Sequence, residues 1–269
     1  MGNAGNAVTG QAQEQRMEIS LPVGQATDSG LLFESPKELD KAFSIGAFLV
    51  PVPLDWDLEP GLELCRNYYK PSRGADDRYR GHRQEQHSLS SLGYADRPDQ
   101  VEQLQIESAY WNKYFPGPVT ALLRKMQKLT EEILFGSFAL SGVRDLDLPL
   151  ITGGLREGTG WVHSTVNHFR GEFEDREGIV QHTDSGFITV IYADRVGLEV
   201  HHGGRWQRVR YSPKHFIVNF GHSADILTQN LARPMTAVLH RVPPTKAYGN
   251  PAQDRSSFTV FMGPRYNAA

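Results

Sequence analysis

Beyond residue 148 the chain breaks into short apolar or alternating runs separated by Gly, Pro and Asp. LITGGL, WVHSTVNHF, GIVQHTD, FITVIY, GLEVHH, WQRVRY, HFIVNF, MTAVLHRV and SFTVFMG follow one another with little between them. None has the length of an ordinary helix, and turn residues recur at strand-like intervals. Strands spaced this way close into a barrel or pack as a sandwich. That pattern confines the C-terminal part to an all-β architecture.

One stretch inside it carries chemistry. Ile179 to Tyr192, IVQHTDSGFITVIY, enters as a strand, turns at Ser185-Gly186 and resumes as a strand. In extended backbone, residues i and i+2 face the same way. His182 and Asp184 therefore project together, an imidazole beside a carboxylate, and leave room for a third ligand from elsewhere. Two His and one carboxylate with open positions suit non-haem Fe(II). Downstream, MTAVLHRV carries His240 near the end of an expected strand, 58 positions after His182. The strand DRSSFTVFM then places Arg255 and Ser257 at i and i+2, where a guanidinium fork and a hydroxyl can grip one carboxylate. Because that strand is apolar from Phe258 onward, Arg255 belongs near the core and needs an anionic partner.

In order, HxD, the distal His and RxS resemble the Fe(II)- and 2-oxoglutarate-dependent dioxygenases of the isopenicillin N synthase-like family. The resemblance is strongest over residues 160 to 262. It implies a mainly β protein with a helical buttress, built on a double-stranded β-helix (a jelly roll, or cupin-like barrel). It implies His182, Asp184 and His240 as metal ligands. Arg255 and Ser257 would hold the distal carboxylate of 2-oxoglutarate. Fe(II), 2-oxoglutarate and O2 are the implied cofactors, with ascorbate as an optional accessory. Asn167 matches an Asn that faces the cosubstrate in relatives, whereas Phe169 stands where they carry Tyr. Ser164 or His168 is the candidate replacement for the missing hydroxyl. Leu198 and Val200 would line or support the pocket. With Asp184 in the carboxylate position, oxygenation is expected rather than halogenation. The competing readings are a relative that works without 2-oxoglutarate, a binding module without chemistry and, least favoured, a zinc hydrolase.

Composition narrows the setting. At 269 residues and net charge −3, the chain gives no reason to expect nucleic acid or an anionic membrane as partner. A single Cys65, read as a buried helical thiol, excludes a disulfide framework and fits a reducing, cytoplasmic compartment. No apolar run reaches transmembrane length, and the first residues lack the apolar core of a signal peptide. Gly2 is not followed by Ser or Thr at position 6, which argues against myristoylation. The expected partner is a small-molecule substrate, and the oligomeric state stays open.

The chain divides into a disordered tail (1–16), a mostly helical part packing on the barrel (17–147) and the barrel (148–269). Met17 to Val23 reads as a strand, and Ser35-Pro36 caps a helix that Gly46 ends before the strand AFLVPV. Trp56 to Tyr69, Asp99 to Tyr114 and Gly117 to Phe135 read as helices, the last with an apolar stripe from Val119 to Leu134. Lys70 to Pro98 is a long polar loop, a form that is often functional. Its Arg73, Arg78, Arg80 and Arg83 could meet an acidic substrate, and Tyr94 and Phe187 could form pocket walls. His82, His87, His201 and His202 are expected at the surface, while His215 and His222 could reach the barrel mouth. The chain stops twelve residues after Ser257, where many relatives continue into a covering helix. The 70–98 loop, or a second subunit, is expected to take over that role.

Overall fold

The computed structural model describes residues 17–27, 30–84, 93–156, 158, 160–248 and 253–264. The expected tail (1–16) and His87 lie outside them. From the N-terminus, strands β1 (Glu18–Ile19), β2 (Gly24–Thr27) and β3 (Gly30–Phe33) precede helix α1 (Pro36–Ile45) and strand β4 (Ala47–Pro51). Helix α2 (Glu59–Asn67) leads to strands β5 (Gly93–Asp96) and β6 (Val101–Glu107). The short α3 (Trp111–Tyr114), the long α4 (Gly117–Ser141) and α5 (Leu148–Thr152) follow. Then come β7 (Trp161–Phe169), β8 (Ile179–His182), β9 (Ile188–Ala193), β10 (Glu199–His202), β11 (Arg205–Val209) and β12 (His215–Phe220). Helix α6 (His222–Thr228) precedes β13 (His240–Val242) and β14 (Arg255–Gly263).

Two sheets face each other as a double-stranded β-helix. The larger runs β4-β12-β9-β14-β7-β6-β5 and the smaller β1-β11-β10-β13-β8. Alternation along the strands of the larger sheet separates two environments. Outward-facing Phe216, Val218, Phe220, Phe258, Val260 and Met262 are buried beneath α2 and α4. On α4, the stripe Val119, Leu122, Leu123, Met126, Leu129, Ile133 and Leu134 supplies the opposing surface, and it runs on to Phe138. The inward-facing positions are largely polar and line the barrel. A second apolar cluster, including Val101, Phe169, Leu198, Val200, Val209 and Val242, closes one end.

Local signals place α1 as expected. Ser35 Oγ accepts from Glu38 N–H at 3.2 Å, and Pro36 opens the helix. Gly46 ends it at φ +82°, where a Cβ would also run into the carbonyl of Thr236. Other expectations change. The segment expected to be helical over Asp99–Tyr114 splits in two: Val101–Glu107 is strand β6, and only Ser108–Tyr114 is helical. The period of the strand is two: Leu104 and Ile106 face the helices while Gln103 and Gln105 face the barrel. LITGGL is not a strand; Leu148–Thr152 makes one helical turn tied by Thr152 Oγ1 to the Leu148 carbonyl, and Gly153 ends it at φ +64°. His240 opens its strand rather than closing it, because Thr236 and Val238 bond to the carbonyls of Phe43 and Phe220 instead of a ladder. The strand expected from Met17 is only Glu18–Ile19, parallel to β11. Strands β4, β5 and β6 belong to the larger sheet, so the expected boundary near residue 148 does not divide it. Among the described residues no helix is long and apolar enough to cross a membrane.

Candidate active site

The barrel encloses a cavity of about 500 Å³ between the two sheets. His182 ends β8 and His240 opens β13 directly opposite it, the two paired in register across the smaller sheet. Asp184 follows two residues after His182, as the extended backbone requires. Single ligand atoms from His182, Asp184 and His240 lie within 4.8 Å of one another. His182 Nε2 is 3.7 Å from Asp184 Oδ1, and the two imidazole centroids are 4.3 Å apart.

Each of these side chains is oriented by a bond at its far end. His182 Nδ1 lies 2.9 Å from the Val180 carbonyl, and His240 Nδ1 lies 3.0 Å from that of Val238. An N–H on each Nδ1 turns both Nε2 lone pairs inward, the tautomer that metal-bound histidines need. Thr189 Oγ1 donates to Asp184 Oδ2 at 2.5 Å, leaving Oδ1 toward the histidines. Burial, and then the neighbouring His240, hold the His182 imidazole below its usual pKa, which keeps its lone pair available. Two nitrogens and one carboxylate oxygen on one side, with open space on the other, fit a six-coordinate ferrous ion.

Deeper in the cavity the inward positions form rows across the larger sheet. Gln103, Asn167 and Ser257 pair in register on β6, β7 and β14. Gln103 Nε2 donates to Asn167 Oδ1 at 2.8 Å, and Asn167 Nδ2 donates to Ser257 Oγ at 3.1 Å. One row below, Arg255 lies opposite Phe169, its guanidinium carbon 4.6 Å from the ring centroid. Arg255 is 5% exposed, and its Nε donates to the Arg195 carbonyl at 3.4 Å. Gly197 makes room for it: a Cβ there would sit 2.6 Å from Nε. A buried guanidinium, a hydroxyl and an amide in one wall fit the carboxylate of a small diacid.

Several residues expected at the site are elsewhere. Ser164 and His168 cannot replace the missing tyrosine hydroxyl, because both point to the helical side of β7. There His168 bridges Glu102 Oε1 at 2.8 Å and Asp254 Oδ2 at 2.9 Å, stacked on Tyr69. Tyr94 donates to Glu102, and Phe187 packs on Phe138, so neither is a pocket wall. Of the loop arginines, Arg73 is exposed, Arg78 binds backbone carbonyls, Arg80 pairs with Asp77 and Arg83 with Glu102. His82 is buried rather than exposed, held to the Arg78 carbonyl at 3.0 Å. His215 is bonded to Ser212, and neither it nor His222 lines the cavity. Leu198 lines the cavity, whereas Val200 supports it from the apolar cluster. Among the described residues of the 70–98 loop only Arg97 lines the cavity, paired to Asp99 and Gln103.

Gln103, His163, Thr189 and Arg97 are site residues that the sequence reading does not single out. The helical reading of its segment hides Gln103. Thr189 carries a usable signal, as an inward position of the strand after the HxD turn. His163, two positions before Thr165 on the inward face of β7, is pushed down to a pKa of about 4 by burial, partly offset by Asp184.

Residues 161–264 match the sequence profile of the 2OG-Fe(II) oxygenase superfamily. Gibberellin 2-beta-dioxygenase 8 of Arabidopsis thaliana is 36% identical over 92 residues, 34% of this chain and 25% of that protein. Flavonol synthase/flavanone 3-hydroxylase of Petunia hybrida is 34% identical over 88 residues, 32% of this chain and 23% of that protein. The matched segment thus spans about a quarter of these relatives' length. The likeness in fold is wider. The rice dioxygenase for auxin oxidation superposes with a TM-score of 0.66 at 22% identity, covering 91% of this chain and 84% of that one. A full-length Neurospora crassa protein, solved in complex with alpha-KG and thymine, gives 0.66 at 14% identity, covering 95% and 88%. Residues 161–264, the span that holds His182, Asp184 and His240, are thus similar to the 2OG-Fe(II) oxygenase superfamily.

Proposed function

We propose that this protein is an Fe(II)- and 2-oxoglutarate-dependent oxygenase that hydroxylates, desaturates or cyclises a small organic substrate. The observation that carries this reading is the placement of two complementary donor sets in one cavity. His182, Asp184 and His240 present neutral nitrogens and one carboxylate, and Arg255 with Ser257 and Asn167 presents hydrogen-bond donors deeper in. Bound Fe(II), with 2-oxoglutarate and O2, supplies the oxidising power that breaks a substrate C–H bond, giving succinate and carbon dioxide alongside oxidised product. The residues do the placing. Val180 and Val238 carbonyls fix the two imidazoles, Thr189 fixes the carboxylate, and the β6–β7–β14 row sets the depth at which a diacid stops. The apolar cluster around Phe169 and Leu198 keeps water from the closed end. A reducing cytoplasm suits both Fe(II) and the lone thiol.

Anaerobic protein given Fe(II) and 2-oxoglutarate should develop a weak visible charge-transfer band, and aerobic turnover should release succinate. A protein that binds Fe(II) without that band would support the second reading, an oxygenase working without 2-oxoglutarate. Phe169 favours that alternative, since it offers Arg255 a ring face where a hydroxyl donor would stand. The biosynthetic relatives named above make a plant-type small molecule a reasonable first class of substrate to screen.

A further inference from the structure

We infer that His163 is the substrate-recognising residue of this cavity. It would take a flat, apolar skeleton that carries a hydroxyl or carbonyl oxygen. The inference rests on the oxygenase reading above and names the substrate class of that same cavity.

His163 is 6% exposed and lines the cavity. Its ring is clamped by packing: it stacks on Phe261 at 4.4 Å and 28°, and lies 4.7 Å from Trp161. Its Nδ1 is sealed from solvent with no hydrogen-bond partner among the described residues. With Nδ1 enclosed, the Nε2 edge is the one left to face the cavity. Burying an imidazole without partners is unfavourable, and a sealed N–H is rarer in proteins than a sealed lone pair. The tautomer with its proton on Nε2 is therefore favoured, and that N–H can be satisfied only by an oxygen or nitrogen acceptor entering the cavity. Trp161 and Phe261 pack against each other with centroids 5.1 Å apart, and both line the cavity beside His163, so the body that brings the acceptor meets aromatic surface and is flat and apolar. The row partners show where that body lies: Phe261 pairs in register with both His163 and Thr189, and Thr189 holds Asp184. A ligand oxygen on His163 thus fixes which part of the skeleton sits beside the ferrous site.

The test uses the protein loaded with Mn(II), which does not turn over, and 2-oxoglutarate. The probes are 2-naphthol and naphthalene, identical in skeleton and differing in one oxygen. Binding is followed by ligand NMR, where Mn(II) broadening reports that the probe lies in the barrel. Wild-type protein should prefer 2-naphthol by about tenfold, the value of one hydrogen bond in a buried site. His163→Phe, which keeps the ring packing, should erase that preference, and His163→Gln should keep part of it. His163→Phe should also leave thermal stability equal or higher, because it removes a polar edge that the protein leaves unpaired. Equal binding of the two probes by wild type, no binding of either, or a preference that survives in His163→Phe would overturn the inference. So would a marked loss of stability in His163→Phe, which would mean that the imidazole serves the fold. Calorimetry of Mn(II) and 2-oxoglutarate is run separately. If the protein binds neither, the oxygenase reading fails, and the probe ratio in metal-free protein still decides the role of His163.

Discussion

At the scale of single residues, the site separates groups that would touch the metal from groups that only aim them. His182→Ala, Asp184→Ala and His240→Ala each remove one of three donors, and each should lower Fe(II) affinity far more than about 100-fold, the upper end of what an orienting residue contributes. Thr189→Val removes only the hydroxyl that holds Asp184 Oδ2. Loss of such an orienting bond typically costs about 10–100-fold, so equilibrium metal titration should rank this variant between wild type and the alanine set. A Thr189→Val protein as empty as Asp184→Ala would mean that Thr189 does more than orient. Arg255 offers the second contrast. Breaking a buried charged pair costs about 3–5 kcal/mol, so Arg255→Ala should raise the 2-oxoglutarate requirement on the order of a hundredfold or more. Ser257→Ala should shift it less, about 1.5–3 kcal/mol for a bond to a charged group. Gly197→Ala should imitate Arg255→Ala without touching the charge, since its methyl group would press on Nε. Dependence of succinate release on 2-oxoglutarate concentration checks all three.

At the scale of elements, strand β6 shows what pattern reading can and cannot reach. The barrel strands β7, β9, β12 and β14 are visible as alternating runs, and the HxD turn brings His182 and Asp184 to one side by backbone geometry alone. His240 and RxS are recognisable by order, not by local shape. Strand β6 escapes the pattern because VEQLQIE has Glu and Gln on both faces, and only the finished sheet reveals that one face is satisfied by side chains. Glu102 is the centre of that satisfaction. Burial tends to raise its pKa, but bonds from His168 and Tyr94 outweigh this and hold it below the ordinary range. Burial acts on Asp254 in the same sense, and there the Gly171 N–H and His168 outweigh it and hold the carboxyl low. A depressed carboxylate stabilises the fold above its unfolded pKa, and that contribution is lost as pH falls through the folded value. Stability should therefore begin to fall below about pH 4.5. Glu102→Gln should cost on the order of 3 kcal/mol at neutral pH and flatten the acid limb of the denaturation profile. An unchanged acid limb would place the sensitive groups elsewhere.

At the scale of the whole molecule, the N-terminal segments are structural members of the barrel. Strands β4 and β6 flank the larger sheet's inner strands, and α2 and α4 cover its outer face. A chain starting at residue 148 would expose Phe216, Phe258, Val260 and Met262 and leave β12 and β7 without their outer neighbours β4 and β6. It should fail to give dispersed NMR resonances, and a well-dispersed spectrum would show that the barrel folds unaided. The same two-faced sheet decides how the molecule would age. Cys65 sits behind β14, its thiol donating to the Ser257 carbonyl at 3.3 Å and pushed well up in pKa by burial. No cysteine, methionine or tyrosine lines the cavity among the described residues. In the proposed oxygenase, an oxidant released there without substrate would meet Trp161, His163 and Phe261, on the two strands that carry the proposed recognition wall. Self-inactivation should then appear as oxygen added to peptides from β7 and β14, with the thiol intact, so that the protein loses its discrimination before it loses its metal.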